Sequence, residues 1–316
     1  MPPNQLPVRT GSFQQAESSA EAVFLIGHQS FDAKNLCIQS SHNGIPYFTT
    51  RWDALCPYID VSPSLLACAQ RPLIVYGLPP NSQYGVPITD QYGLVDLKSA
   101  GFWADARRQR KFREISKRFA CFSIECSVIA GRNLSLADML EMGAGHFEKC
   151  EIGIDEVDGF LDYVRNLDVL VIRCVDGEGE KVFTDVSILM PEIDQIYGSF
   201  CQWNENYRSR SPGLYACIAA CEWGRDHGFR FYNLGPVGDY PYKQLFVTDL
   251  EPIYGIALVP EGHPLWSDAT SPLFTDFLEG GVNSLYRSAG RRTLFCDVDP
   301  SIARYSWQNR ITNFGV

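Results

Sequence analysis

The chain has 316 residues, 45% hydrophobic and 13% aromatic, enough to bury one large core or two smaller ones and too apolar for a disordered chain. A formal net charge of -10 argues against a general nucleic-acid coat, while leaving room for a local basic patch. Eleven cysteines without a C-x-x-C pair read as reduced, buried thiols, and five dispersed histidines without H-x-x-x-H imply no metal site.

Residues 1–20 read as a flexible Pro/Gln/Ser arm without the long apolar stretch of a secretory signal. Apolar runs such as Leu167–Val175 are too short to span a bilayer, so a cytoplasmic protein with no membrane partner is expected. Short strands are expected at Ala22–Ile26 and Leu36–Ile38. From Pro46 to Asp96 the chain is rich in Pro, Gly, Tyr and Asp; RPLIVYGLPP reads as a strand closed by prolines, and GVPITDQYGLVD as a loop. Trp52, Tyr58, Tyr76, Tyr84 and Tyr92 either fill a core here or line a pocket.

Arg107, Arg108, Arg110, Lys111, Arg113, Lys117 and Arg118 then crowd one helical stretch. Phe112, Ile115 and Phe119 recur at helical spacing and should face the core. The charges form either a solvated face or an anion platform, the densest positive cluster in an acidic chain. A glycine-interrupted helical pattern follows from Ser135. The run LDVLVIRCVDGEGEKVFTDVSILMPEIDQIYGSFCQWN reads as three strands in an antiparallel meander, with a hairpin turn at Asp176–Gly179 and a break at Met190–Glu192.

Ser211 and Pro212 are the expected cap and first turn of a helix reaching His227, which should cap its end before Gly228 stops it. FRFYNLG, a short helical piece at Tyr242–Asp249 and the strand IYGIALVP complete the pattern. A helix start after a strand offers free N–H groups and a positive dipole end to a phosphate or an oxyanion. Gly213 lets a ligand approach the backbone, and Arg208 and Arg210 add charge beside it.

Three segments carry a family resemblance. Pro212-Gly213-Leu214-Tyr215 is similar to a Leu-Gly-x-Tyr helix start, FYNLG (Phe231–Gly235) to an aromatic strand ending in Leu-Gly, and Tyr242-Lys243 with Phe246 to a Tyr-Lys-x-x-Phe segment. Together they resemble the acyl-CoA N-acyltransferase (GNAT) superfamily, nearest its branch of FemAB-type peptidoglycan aminoacyltransferases and arginyl-tRNA–protein transferases. The likeness covers roughly Leu167–Val259, and the basic helix resembles the Arg-rich helix of FemAB-like proteins. RSRSPGLYA departs from the acetyl-CoA loop of simple N-acetyltransferases, and the N-terminal cysteine cluster of arginyl transferases is absent.

The resemblance implies an α+β, GNAT-like fold with a mixed, largely antiparallel sheet flanked by helices. It divides the chain into the arm, a domain at 21–145 that is a candidate degenerate second GNAT-like half, and the acyltransferase domain at 146–316. The implied activity is transfer of an acyl or aminoacyl group from acyl-CoA to a small-molecule or peptide amine. Aminoacyl-tRNA is the alternative donor, and a non-catalytic ligand-binding protein the alternative of another class. Lys243 is the expected charge stabiliser with Tyr242 beside it; Tyr197, Trp203 and Asn204 would position the amine, and Asp239 and Glu205 are candidate bases. Arg208, Arg210, Ser211, Gly213, Leu214 and Tyr215 would hold the donor.

Overall fold

The structure is a computed structural model. It describes residues 23–26, 29–32, 38–50, 56–58, 60–61, 72–78, 86–237, 242–259 and 263–266. The chain divides into two compact units, residues 1–91 with 252–316, and residues 92–251.

In the first unit, β1 (Val23–Ile26) pairs antiparallel with β2 (Gln29–Asp32). β3 (Ile38–His42) and β4 (Ile45–Thr49) form a hairpin about Asn43 and Gly44, whose φ angles of 49° and 78° suit a turn that follows strand twist. β5 (Asp60–Val61) joins β1, and the wholly buried β6 (Leu73–Leu78) runs parallel to β4. Of the expected aromatics here, Tyr58 and Tyr76 are buried, while Trp52 and Tyr84 lie outside the described residues with respect to their surroundings. The arm at 1–20 lies outside them too, as do stretches of the expected 21–145 domain before residue 86.

β7 (Val86–Asp96) occupies the segment expected to be a loop. Its Pro, Gly and Asp residues hide a strand that partners distant in sequence stabilise: from Tyr92 onward it pairs antiparallel with residues near 231–236, burying Tyr92, Leu94 and Val95. Two helices follow, α1 (Ala100–Ala104) and α2 (Ala106–Lys117). Asp105 caps α2 by accepting the Arg108 amide at 2.6 Å, and Phe112 and Ile115 are buried as their spacing predicts. β8 (Ser123–Ala130) is an edge strand that sequence reading missed; most of its residues are half-buried or exposed.

The glycine-interrupted segment forms two helices, α3 (Leu136–Lys149) and α4 (Ile154–Val164). Ser135 and Asp138 make a reciprocal capping box at the start of α3. That helix runs unbroken through positions 145 and 146, where a domain boundary was expected.

The expected meander follows as β9 (Asp168–Val175), β10 (Lys181–Met190) and β11 (Gln195–Trp203). Its first turn is tied by Asp176, whose carboxylate accepts the amides of Glu178 and Glu180 at 2.9 Å each. Then come α5 (Pro212–Asp226) and β12 (Phe231–Pro236). Gly228, at φ 85°, stops α5 as expected. β13 (Asp249–Leu258) returns to the first unit, antiparallel to β6.

In the second unit the strand order is β7-β12-β11-β10-β9-β8, antiparallel throughout except for β11 with β12. β10 is buried from Val182 to Met190, because helices cover both faces. On one face Phe200 of β11 packs against Phe147 of α3 and Phe160 of α4. On the other, a Cβ at Gly224 of α5 would come within 2.7 Å of Ile196, so the glycine lets helix and sheet approach closely. The α+β class and the mixed, largely antiparallel sheet flanked by helices are therefore as expected. No helix of the described residues is long and apolar enough to cross a membrane.

Gly131, just after β8, sits against the end of α4. A Cβ there would lie 1.8 Å from the Val164 carbonyl oxygen and 2.6 Å from its carbon, and backbone cannot swing aside as a side chain can. Gly131→Ala should cost about 3 kcal/mol, the upper range for overpacking. Thermal melting checks this, and a melting temperature equal to that of wild type would contradict it.

Candidate functional site

β11 and β12 are registered side by side for only three pairs, Gln195–Phe231, Ile196–Tyr232 and Tyr197–Asn233. Beyond them β11 continues along β10, and β12 along β7, so the sheet forks. Local chemistry explains the fork. The Asn233 side chain accepts the Gly235 amide at 2.8 Å and donates to Gln195 Oε1 at 3.1 Å. Gly235 takes the left-handed φ of 73°, and the β12–β7 register shifts between Asn233 and Pro236. On β11, Ser199 is an extra residue between the pairs Gly198–Ser187 and Phe200–Val186. Such a bulge leaves backbone groups out of the ladder, here beside the fork.

Lys243 occupies this fork. It is only 6% exposed and donates from Nζ to the Pro236 carbonyl at the end of β12. Over Gly235, a Cβ would lie 3.5 Å from the Tyr197 hydroxyl and 3.9 Å from Lys243 Nζ. The two polar ends thus converge on a position that glycine keeps open. Tyr197 is buried and packs edge-to-face with Tyr92, the ring centres 6.1 Å apart.

The 3-10 turn Lys243–Leu245 is held from the basic helix. Arg108 donates to the Leu245 carbonyl at 2.8 Å and the Phe102 carbonyl at 3.0 Å, while its guanidinium lies 4.4 Å from the Phe102 ring centre. Phe112 of α2 stacks on Phe246 at 5.2 Å. The other end of α2 grips the turn before α5: Arg118 donates to Ser209 O at 3.3 Å, and Arg210 to Arg118 O at 2.7 Å. One helix therefore locates both the lysine turn and the α5 start. Arg108 and Arg118 serve the fold, whereas Arg107, Arg110, Arg113 and Lys117 are exposed.

Beneath the fork lies a buried polar chain that sequence reading missed. Asp185 on β10 is 4% exposed and accepts from Ser187 Oγ at 3.1 Å. Cys201 on β11 pairs opposite Asp185, and the Tyr232 hydroxyl lies 2.6 Å from where a Cβ of Gly198, the pairing partner of Ser187, would be. The Ser199 bulge lets Gly198 and Cys201, three apart in sequence, pair with Ser187 and Asp185 on one face. Burial pushes the Asp185 carboxyl up to about 7. Burial also raises the thiols of Cys201, Cys217 and Cys221, so none is a thiolate nucleophile at neutral pH. A lone acid in the mostly apolar strand run VFTDVSILM was the available signal.

The other expected residues are spread more widely. Asn204 serves its own turn, accepting the Asn206 amide at 3.0 Å and donating to Lys181 O at 3.3 Å. Tyr242 is 42% exposed. Ser211 is not a side-chain cap: it takes a left-handed conformation (φ 64°, ψ 56°) as the chain turns out of the 3-10 helix Glu205–Arg210, so its hydroxyl makes no capping bond. Pro212 does occupy the first turn. Gly213 faces open space apart from Trp203 Nε1, 4.0 Å from where its Cβ would be. Leu214 packs on the core, and Tyr215 stacks on Phe119 at 4.3 Å. Arg208 has a side chain 80% exposed, 3.9 Å from Glu205, itself 67% exposed. Asp239 lies outside the described residues. His227 does cap α5, with Nδ1 2.8 Å from Trp223 O and its ring stacked on Trp223 at 3.8 Å. All the described cysteines are free, but Cys121 and Cys126 are exposed rather than buried, because the edge strand and the turn before it have no cover.

No protein-family model matches the chain, and no curated protein is similar to it in sequence. Solved structures similar in fold include the C-terminal DUF2156 domain of an Agrobacterium fabrum protein, with a TM-score of 0.47 at 13% identity over 78% of this chain and 87% of that one. Another is FemX, with a TM-score of 0.40 at 10% identity over 69% of this chain and 83% of that one. A third is a tandem GNAT protein from the clavulanic acid biosynthesis pathway, with a TM-score of 0.35 at 11% identity over 60% of this chain and 65% of that one.

Two predictions follow from this geometry. Arg108→Ala should loosen the lysine turn without unfolding the sheet. Amide exchange at Phe246 and Val247, both bonded to Lys243 O at 2.9 Å, should quicken by about tenfold, while β9 and β10 keep their protection. Hydrogen-exchange mass spectrometry reads both, and unchanged exchange at 246–247 would refute the anchoring role. The second concerns pH. Asp185 is raised when folded from an ordinary 3.8, so between about pH 4 and about 7 the folded chain binds a proton that the unfolded chain has released. Stability should therefore fall as pH rises through that window, by on the order of 1 kcal/mol per unit from this group. Asp185→Asn should flatten the fall, which melting curves against pH would reveal.

Proposed function

We propose that the fork is the transfer site of an N-acyltransferase, moving an acyl or aminoacyl group from an activated donor to an amine. The observation that carries this reading is the convergence of the buried Lys243 ammonium and the Tyr197 hydroxyl over Gly235, where a parallel strand pair parts.

Acyl transfer to an amine requires proximity, loss of a proton and stabilisation of a tetrahedral oxyanion. Holding the reactants together can supply on the order of 7–11 kcal/mol in the best cases. The activated donor brings its own leaving group, so no protein nucleophile is needed. The amine attacks the acyl carbon, a C–N bond forms, and negative charge gathers on the carbonyl oxygen. A buried ammonium stabilises that charge more strongly than an exposed one, because little water competes. Tyr197 orients the carbonyl or the amine. Collapse of the adduct breaks the C–S bond of a thioester, or the C–O bond of an aminoacyl ester.

The donor's phosphates fit the start of α5, where no side chain caps the helix and Gly213 leaves room. Arg208 is the cation suited to them, since Arg210 is engaged with Arg118 O. Acyl-CoA is the first donor. The outward Arg107, Arg110 and Arg113 favour aminoacyl-tRNA as the second, and both donors imply a cytoplasmic site of action.

Lys243→Met should lower kcat by roughly 10²–10³-fold while donor affinity changes little, as expected for a contact made in the transition state. Steady-state rates and donor titration measure the two parts. Equal loss of binding and rate would instead favour a ligand-binding protein. If tRNA is the donor, neutralising Arg107, Arg110 and Arg113 together should reduce the slope of log affinity against log salt by about 2–3. Filter binding at graded salt tests this, and no RNA retention at low salt would leave CoA.

A further inference from the structure

The open edge of the second unit's sheet is built to take another strand. We propose that β8 pairs with β8 of a second copy of this chain, antiparallel about a twofold axis through Ser127. The proposal is independent of the transfer reading.

Backbone register fixes which groups point outward. β8 pairs with β9 from Ser123–Val175 to Ala130–Asp168 without a register shift. The Gly131 amide continues the ladder by donating to Leu167 O at 2.8 Å. In an antiparallel pair, hydrogen-bonded residues alternate with residues whose backbone groups point the other way. Counting back from Gly131, Ile129, Ser127, Glu125 and Ser123 therefore spend theirs on β9. Ile124, Cys126, Val128 and Ala130 turn theirs to the open edge, where no strand of the described residues meets them.

This edge lacks the usual protection. β8 runs for 8 residues with no proline, no lysine and no bulge, and Glu125 is its one charge. Its side chains tell the same story. Val128 is paired with Leu170 and Cys126 with Ile172, and both β9 partners are fully buried in the core. Yet Val128 is 49% exposed and Cys126 is exposed. The apolar row thus ends in open water, one strand short of cover.

The strand is its own complement. Outward residues must pair with outward residues, so a twofold axis has to pass through a residue of β8, and Glu125 decides which. An axis at Glu125 sets two carboxylates face to face. An axis at Cys126 leaves them diagonal neighbours, about 7–8 Å apart. An axis at Ser127 pairs Ile124 with Ala130 and Cys126 with Val128, so every outward group finds a partner. It also sets Glu125 opposite Ile129 and separates the two carboxylates by about 13 Å along the strand, beyond the screening length of about 8 Å. An axis at Val128 would push Ile124 against Arg132, which lies in the 3-10 turn Gly131–Asn133 and not in the strand.

Sedimentation of the full chain from about 1 to about 100 μM should show a dimer that dissociates on dilution. Val128→Pro deletes an outward N–H without touching the bonds to β9, and Val128→Lys sets a charge in the seam. Each should raise the dissociation constant at least about tenfold. The lysine variant keeps the test sound if the proline variant fails to fold. Disulfide trapping reads the register. With Cys121 and Cys126 replaced by serine, Ser127→Cys should link two copies on oxidation with diamide, because a non-hydrogen-bonded pair brings Cα atoms within about 4.5 Å. Glu125→Cys in the same background should link at least about tenfold more slowly. A monomer at every concentration overturns the proposal, as does a dimer that both Val128 variants leave intact. Equal linking at 125 and 127 overturns the Ser127 axis.

Discussion

The hydrogen bond from the Gly235 amide to the Asn233 side chain governs the second unit's candidate site. By taking that amide out of the sheet ladder, it ends the pairing of β11 with β12 after three pairs. An amide given to a side chain two residues back is satisfied locally, so it makes no demand on the next strand. Glycine at 235 can adopt the positive φ this requires. Everything proposed for the site depends on the resulting gap: Lys243 reaches the Pro236 carbonyl across it, Tyr197 presents its hydroxyl to it, and α5 begins beyond the end of β11.

A fork in a sheet would be soft without support, and the basic helix supplies that support. Arg108 holds the lysine turn through two carbonyls, and Phe112 and Phe246 stack beneath it. Arg118 and Arg210 exchange backbone contacts at the other end. Arginine suits this work because its planar fork of donors can satisfy two carbonyls while its face lies on an aromatic ring. A cluster that reads as an anion platform in sequence is thus divided in space. Some of its members are fasteners, and the rest form the outward charge.

The polar chain under the fork has a cost. A carboxyl at 4% exposure is expensive to ionise, and its folded state leans towards the protonated form. Around it the neighbouring thiols are inert, which leaves Asp185 as the ionisable group that can change state at ordinary pH.

Sequence alone determined the elements whose signals are local. The Phe112–Ile115–Phe119 spacing, the Asp176 hairpin, the Pro212 helix start and the Gly228 stop all depend on residues within one or two turns of each other, and all appear where expected. The Tyr-Lys segment that follows FYNLG singles out Lys243 in the sequence, and the fold buries that lysine against the Pro236 carbonyl. Tertiary structure decided what depends on distant partners. β7 is a strand because partners distant in sequence lie beside it, β12 among them, while its Pro, Gly and Asp residues read locally as a loop. Ser211 lost its capping role to the turn that Arg118 and Arg210 hold. Asp185 meets Cys201 across a one-residue bulge, and Tyr197 meets Asn233 through a parallel pairing, both of which are properties of strand register. Register joins residues dozens of positions apart and leaves no periodic mark in the chain, so that part of the site became visible only in the fold.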